Sequence, residues 1–146
     1  MEGKIHLASD HAGVKMRKEL CKTLTEWGYS IIDHGPFSSD SVDYPDFAKL
    51  VCQAVLANQE DRGILLCGTG LGMSYSANRF KGIRAALCYH TTAAKLSRKH
   101  NNSNILVMGA RMIGLDLAKE IIKTWLETQF SEAKRHKRRI EKIDNI

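Results

Sequence analysis

The sequence predicts an α/β fold, and three observations predict it. Short apolar segments alternate along the chain with segments whose apolar residues recur at helical spacing. The apolar segments do not alternate with polar residues, so the sheet that they form should be parallel and covered on both faces. Polar and glycine-rich clusters follow these segments, and ligands bind beyond the carboxyl ends of strands in such sheets. Together they predict a Rossmann-like three-layer sandwich with a five-stranded parallel sheet.

The predicted elements follow one another in strict alternation. Strands are expected at 4–9, 30–33, 63–67, 83–89 and 104–108, each a short apolar run. Helices are expected between and after them at 14–27, 44–58, 71–80, 91–100 and 115–128, and the basic segment 131–145 is also expected to be helical. Gly28 ends the first helix, Pro45 occupies the first turn of the second, and Thr91 caps the fourth. The 146 residues are the length of one domain, so we predict a single domain, 1–146, whose residues 131–146 form a helical tail.

The composition is that of a soluble globular protein, with 43% hydrophobic and 26% charged residues. No apolar run is long enough to cross a bilayer, and the start of the chain does not have the pattern of a signal peptide. We therefore expect a cytoplasmic protein without a membrane partner. The four cysteines, Cys21, Cys52, Cys67 and Cys88, include no Cys-x-x-Cys pair, so free thiols are expected rather than disulfides or a metal site.

The net charge of +6 is concentrated near the end of the chain, where five Lys or Arg side chains lie within residues 134–139. Such a segment can bind nucleic acid, bind a small polyanion such as a phosphate ester, or form a solvated helix face. No aromatic residues alternate with the basic ones, which disfavours a platform for stacking single-stranded bases. A nucleotide- or RNA-binding module therefore stays only as an alternative to an enzyme.

The segment 63–74 carries the strongest chemical signal. An apolar strand ends at Cys67, and Gly68, Gly70 and Gly72 follow at alternating positions before a predicted helix. Exposed amides at a helix N-terminus bind anions, and a cysteine beside them sits where a thiolate is stabilised. The glycines match neither the dinucleotide fingerprint nor a P-loop. The alternative is a buried cysteine with glycines that only turn the chain.

Taken together, these clusters resemble the type B ribose-5-phosphate isomerases, a family that also contains galactose-6-phosphate isomerase subunits. The resemblance extends over essentially the whole chain. It rests on the motifs at 9–13, 43–45, 63–72, 77–78, 82–85, 100–101 and 109–111 and on the arginines of the tail. Each motif alone is modest, but their order and spacing together are specific.

The resemblance implies an aldose–ketose isomerase that interconverts ribose 5-phosphate and ribulose 5-phosphate through a cis-enediolate, without metal or cofactor. It makes Cys67 the general base, gives Thr69 the transfer of a proton between two substrate oxygens, and gives His100 a role in opening the sugar ring. Some members have serine at the position of Cys67 and glutamate at that of Met73, so this chain resembles the cysteine-base subtype. A hexose 6-phosphate, galactose or allose, stays open as an alternative substrate.

The resemblance also implies the residues that hold the substrate. The amides of residues 68–74 would bind the enediolate, and the remaining contacts would reach the sugar and its phosphate. The implied substrate-binding residues are Asp10, His11, Tyr44, Gly68, Gly70, Gly72, Ser74, Asn101, Arg111, Arg135 and Arg139. From the residues alone, Asp10 could also cap the first helix, and His100 could cap the C-terminus of its own helix.

The tail is expected to act across a subunit interface. Arg135 and Arg139 are four residues apart and so share one helix face. In the family that the chain resembles, the tail reaches the neighbouring subunit, which implies a homodimer with shared active sites and leaves a tetramer open. Nucleic acid is not expected as a partner, and His34, His90 and His136 are expected to be bystanders.

Overall fold

The computed structural model describes all residues, 1–146, and contains five strands and six α-helices. The strands are β1 (Ile5–Ser9), β2 (Ile31–Asp33), β3 (Arg62–Cys67), β4 (Ala85–Leu87) and β5 (Ile105–Gly109). The helices are α1 (Val14–Glu26), α2 (Tyr44–Ala57), α3 (Leu71–Ala77), α4 (Thr91–Asn101), α5 (Leu115–Glu127) and α6 (Lys134–Asp144), and a 3-10 turn (His11–Gly13) precedes α1. The predicted α/β sandwich is confirmed.

The sheet is parallel throughout, with strand order β2-β1-β3-β5-β4. The chain places β2 on one side of β1 and β3 on the other, so the direction of strand addition reverses between β1 and β3. In open parallel sheets, this reversal leaves a crevice beyond the carboxyl ends of the two strands. Ser9 pairs with Leu66 there, and Cys67 pairs with Gly109 of β5. The fold thus predicts a ligand site at these strand ends.

Two apolar cores fill the space between the sheet and its helices. One cluster joins residues of α1, α4 and α5 to one face of the sheet, and the other joins α2 and α3 to the opposite face. Trp125 of α5 is fully buried, and its indole N–H donates to Ser103 Oγ at 2.8 Å. The guanidinium carbons of Arg62 and Arg98 lie 5.4 and 6.0 Å from the Trp125 ring centroid, which is within cation–π range.

Three predicted elements differ from the structure by more than one residue at an end, and the other differences are of one residue. The fourth strand was expected over 83–89, but β4 covers only Ala85–Leu87, because it is an edge strand that pairs with β5 alone. The third helix ends at Ala77 instead of residue 80, where Phe80 N–H donates to Ala77 O in a turn. The tail helix begins only at Lys134, since Glu132 has a positive φ of 57° that interrupts a helix. No helix has the combination of length and apolar character needed to span a membrane.

Candidate active site

Cys67 ends β3 at the crevice between β1 and β3. Its side chain is almost completely buried, with 4% of its surface exposed, and its Sγ accepts a hydrogen bond from Gly70 N–H at 3.1 Å. The loop carrying this donor is bonded to the turn that follows β5, since Ala110 and Arg111 N–H donate to the carbonyls of Cys67 and Gly68. An amide donor aimed at sulfur favours the thiolate over the thiol.

The turn after Cys67 leaves backbone donors unpaired. Leu71 N–H donates to Thr69 Oγ1 at 3.2 Å, and Ser74 N–H donates to Gly70 O. Gly72 and Met73, in the first turn of α3, have no acceptor for their amides in the chain. The predicted anion-binding stretch 68–74 thus divides: the amides of Gly70, Leu71 and Ser74 are used internally, and the other four, including those of Gly72 and Met73 at the start of α3, have no acceptor in the chain.

The glycines of this turn are required by close contacts. Gly70 has a φ of +84°, and a Cβ added there would lie 2.5 Å from Leu87 Cδ1. A Cβ on Gly72 would lie 2.4 Å from the ring of Tyr44, so the aromatic ring rests directly on the backbone of the turn. Met73 is fully buried in the core between the sheet and α2 and α3 and carries no titratable group.

Asp10, Tyr44 and Cys67 line one cavity of about 360 Å³ together with Gly68, Thr69 and Gly72. Asp10 is 7% exposed, and its carboxylate accepts Ala12 N–H at 3.0 Å, so it caps the 3-10 turn while facing the cavity. A second cavity adjoins through Asp10 and Tyr44 and includes His11, whose Nδ1 accepts Val42 N–H at 3.3 Å. Carboxylate, phenol, imidazole and thiol therefore meet at the carboxyl ends of β1 and β3.

Arg111 lies at the same end of the sheet and is exposed to solvent. A Cβ built on Gly68 would lie 3.4 Å from its Nη1, so the guanidinium reaches over the loop that follows Cys67. The guanidinium forms no ion pair with a carboxylate of this chain. A forked cation held beside amide donors suits the oxygens of a phosphate group.

Four of the predicted site residues lie elsewhere, at the opposite end of the sheet. His100 and Asn101 form the last turn of α4, just before β5 begins, and the rings of His100 and His136 stack with centroids 4.5 Å apart. This contact fixes α6 against α4, so the exposed Arg135 and Arg139 also belong to this end. Neither arginine forms an ion pair in the chain.

The register of β3 and β5 shows how far apart the two ends of the sheet are. Ile105 pairs with Gly63 and Gly109 pairs with Cys67, so four residue steps of β5 lie between the levels of the two groups. At about 3.3 Å per residue, that is roughly 13 Å. One chain therefore brings Cys67, Thr69, Asp10, His11, Tyr44, Ser74 and Arg111 to one end of the sheet and leaves His100, Asn101, Arg135 and Arg139 at the other.

None of the other three cysteines lines the cavity that holds Cys67. Burial raises the pKa of Cys52 to about 12 and that of Cys88 to about 11. Burial, and then the nearby Asp33 carboxylate, raise the pKa of Cys21 to about 12. All four thiols are free. The thiols of Cys21, Cys52 and Cys88 stay protonated near neutral pH, so they are unreactive there.

Two buried polar networks were not predicted from the sequence. The fully buried Arg17 of α1 donates to Ser9 Oγ and Pro36 O, each at 2.6 Å, and pairs with Asp33 at 2.8 Å. His6 of β1 contacts His34 at 2.9 Å through one ring nitrogen and Asp61 at 2.8 Å through the other. A polar residue within an apolar strand, such as His6, is the only sequence signal of such a network.

The other two predicted bystander histidines, like His34, have structural partners. His90, and not the expected Thr91, caps α4, with its Nδ1 accepting Ala93 N–H at 3.2 Å. His136 contacts Ser131 Oγ at 2.8 Å as well as the ring of His100. The chain contains no group of three or more His, Cys, Asp or Glu side chains arranged to hold a metal ion.

Comparison with known proteins places this geometry in context. The family described as Ribose/Galactose Isomerase matches residues 5–143. A putative sugar phosphate isomerase of Bacillus subtilis is 51% identical over 97% of this chain and 95% of its own length. Ribose-5-phosphate isomerase B of Escherichia coli is 46% identical over 98% of this chain and 95% of its own. The crystal structure of a ribose 5-phosphate isomerase from Thermotoga maritima covers 100% of both chains, with a TM-score of 0.96 and 51% identity.

Proposed function

The chain belongs to the ribose/galactose isomerase family, and we propose that it interconverts ribose 5-phosphate and ribulose 5-phosphate with Cys67 as general base. The observation that carries this proposal is the buried Cys67 thiol, which accepts the Gly70 amide at 3.1 Å and shares a cavity with Asp10 and Tyr44. Because the base must be a free thiol, the proposal places the enzyme in a reducing compartment such as the cytoplasm.

The proton transfers follow from the positions of these groups. The Cys67 thiolate takes the proton from C2 of the open-chain aldose and returns it to C1, while a hydroxyl proton moves from O2 to O1. Thr69 suits this second transfer, because its hydroxyl oxygen already accepts Leu71 N–H and its O–H is left free to donate. The thiolate is regenerated in each cycle, and no other reactant is consumed.

Charge develops on the substrate oxygens as the C2 proton leaves. The unpaired amides of Gly72 and Met73 point out of the first turn of α3 and can donate to that oxyanion. These donors are fixed in place before the substrate arrives, because Gly72 is packed under Tyr44 and Met73 is anchored in the core. Preorganised donors of this kind stabilise the transition state without reorganising during the reaction.

The remaining groups of the site are proposed to come from a second copy of the chain. His100 would act on the anomeric hydroxyl to open the furanose ring, Asn101 would hold sugar hydroxyls, and Arg135 and Arg139 would join His11 and Arg111 on the phosphate. The roughly 13 Å between the two ends of the sheet supports this division, since the chain places these four residues at the end opposite Cys67.

Exposed apolar side chains near the cavity also support a partner subunit. Leu71 and Tyr75 of α3 line the Cys67 cavity with 43% and 65% of their surfaces exposed, and Met112, just after the arginine of the loop, is 58% exposed. Apolar surface beside a polar site is typical of a protein–protein interface. A homodimer with shared active sites is accordingly the assembly that we propose.

An isomerisation assay tests the proposal directly. The purified protein is given ribose 5-phosphate, allose 6-phosphate and galactose 6-phosphate in parallel, and ketose formation is followed. We expect the pentose phosphate to react fastest and Cys67→Ser to lower turnover about a hundredfold or more while substrate still binds. Cys21→Ser, which removes a thiol from α1, is the matched control and should behave like the wild type.

Two results would redirect the proposal. Faster conversion of a hexose phosphate would change the substrate and keep the mechanism. Near-normal turnover by Cys67→Ser would remove the thiol as the base and leave the reaction class to be explained by another group.

A further inference from the structure

One peptide group in the site, the one that joins Thr69 to Gly70, is held by hydrogen bonds at both ends. Its N–H, which belongs to Gly70, donates to Cys67 Sγ at 3.1 Å. Its carbonyl, which belongs to Thr69, accepts a hydrogen bond from the phenol of Tyr89 at 2.5 Å. Tyr89 follows β4 at the carboxyl end of the sheet, so a residue from the far edge of the sheet is linked to the thiol through a single peptide.

The packing around this peptide leaves it little room. A Cβ on Gly109 of β5 would lie 2.6 Å from both the carbonyl carbon and the oxygen of Thr69, so the carbonyl fits only because that position is glycine. On the other side, a Cβ on Gly70 would contact Leu87 Cδ1 at 2.5 Å. Residues at the carboxyl ends of β4 and β5 therefore pack against the Thr69–Gly70 peptide on both sides.

The orientation of this peptide decides whether Cys67 has a donor. A trans peptide is planar, and its C=O and N–H point in opposite directions. With the carbonyl directed at Tyr89, the N–H is directed at Cys67 Sγ. A rotation of the peptide about its neighbouring bonds would turn the N–H away from sulfur, and glycine at position 70 offers the least resistance to such a rotation because it tolerates either sign of φ.

Polarisation of the peptide also strengthens the hydrogen bond from Gly70 N–H to Cys67. A hydrogen bond accepted by a carbonyl polarises the peptide and strengthens its N–H as a donor, as in other hydrogen-bonded chains. The phenol of Tyr89 thus reinforces the hydrogen bond that the Gly70 amide gives to sulfur. Tyr89 itself stays outside the cavity that holds Cys67.

We propose that Tyr89 is a positioning residue for Cys67: its phenol holds the Thr69–Gly70 peptide in the orientation that stabilises the thiolate. The effect on the thiol is independent of what the protein catalyses. Only the effect on turnover rests on the proposed function, in which the Cys67 thiolate is the base.

The test compares Tyr89→Phe with the wild type by two readouts. The first is the rate of Cys67 alkylation by iodoacetamide as a function of pH, followed by mass spectrometry of the peptide that contains Cys67. The second is kcat and KM for ribose 5-phosphate. Tyr29→Phe is the matched control, since Tyr29 precedes β2 at the opposite end of the sheet and its phenol makes no hydrogen bond in the chain.

Loss of one neutral hydrogen bond should lower the equilibrium constant for forming the Cys67 thiolate by about two- to tenfold. The pH midpoint of Cys67 alkylation in Tyr89→Phe should therefore rise by roughly 0.3 to 1 pH unit. kcat at neutral pH should fall by a similar factor with KM nearly unchanged, and Tyr29→Phe should match the wild type in both readouts. A general loosening of the fold would instead change the alkylation rate without moving its pH midpoint.

An unchanged alkylation midpoint in Tyr89→Phe overturns the proposal. If that variant folds poorly, Gly109→Ala replaces it, because a methyl group there displaces the same carbonyl from the other side and should move the midpoint in the same direction. A shifted midpoint together with an active Cys67→Ser enzyme would uphold the role of Tyr89 toward the thiol and overturn only the assignment of Cys67 as the base.

Discussion

Two inactive variants should regain activity when their subunits exchange. Cys67→Ser removes the thiol at the carboxyl end of β3, and Arg139→Ala removes one of the exposed cations of α6. The two positions lie at opposite ends of a sheet whose strand β5 spans roughly 13 Å from Ile105 to Gly109, so we expect that a single chain does not place them in one site. If each site takes its thiol from one subunit and its arginine from the other, a mixed dimer contains one site with both substitutions and one site with neither.

The expected recovery follows from symmetry. Equal amounts of the two variants, dissociated in urea and refolded together, should give about half mixed dimers if association is random. Each mixed dimer has one intact site and hence about half the activity of a wild-type dimer, so the mixture should reach about a quarter of the wild-type value. Each variant treated in the same way alone should stay near its own low activity.

The measurement needs proof that subunits have exchanged. Tags of different mass on the two variants allow the mixed dimer to be isolated and assayed with ribose 5-phosphate. Exchange without any gain above the average of the two single variants would place Cys67 and Arg139 in the same subunit's site and refute the reasoning. Unmixed wild-type protein, carried through urea and refolding, sets the upper limit.

Two further predictions concern stability. Burial, and then the neighbouring His6, lower the pKa of His34, so the unfolded chain binds a proton more readily than the folded protein. The free energy of unfolding should therefore fall as pH drops below about 6.5. Urea titrations at several pH values should show that His34→Asn flattens this pH dependence. A dependence as steep in His34→Asn as in the wild type would contradict this. Gly63→Ala should lower the free energy of unfolding by about 1–3 kcal/mol, because its Cβ would lie 2.5 Å from Val51 Cγ1 in the core. Gly114→Ala, whose Cβ meets nothing within 4 Å, is the control, and equal stability of the two variants would show that the core accommodates the methyl group.

The alternation of strands and helices was predictable because it depends on local periodicity. Five apolar runs without polar alternation indicated a covered parallel sheet, and the structure has that sheet. The strand order was not predictable, since it depends on which helix covers which face, and periodicity does not record this. The length of β4 was overestimated for a related reason: residues 83–89 are apolar enough for a strand, but only Ala85–Leu87 find a partner, on β5.

The Cys67 half of the candidate site was readable from motifs because it is local in sequence. Cys67 and the glycines that follow it form one continuous turn, and Asp10 directly follows the neighbouring strand. Tyr89 was not readable, because its contact with Thr69 joins residues 20 apart through the ends of two strands. The His6–His34 contact likewise spans 28 residues and gave no periodic signal.

The two ends of the sheet suit different tasks. Proton transfer and oxyanion binding need donors that are fixed in place. Gly70 N–H is fixed by its hydrogen bond to Cys67 Sγ, and the surroundings of Gly70 and Gly72 are too close for even a methyl group. Arg135 and Arg139 stand on an exposed helix without ion pairs, so they repel each other until an anion lies between them. If the second copy presents these arginines to the substrate phosphate, a bound phosphate relieves that repulsion only in the dimer. Substrate binding and subunit association are then linked, and each must strengthen the other by the same free energy.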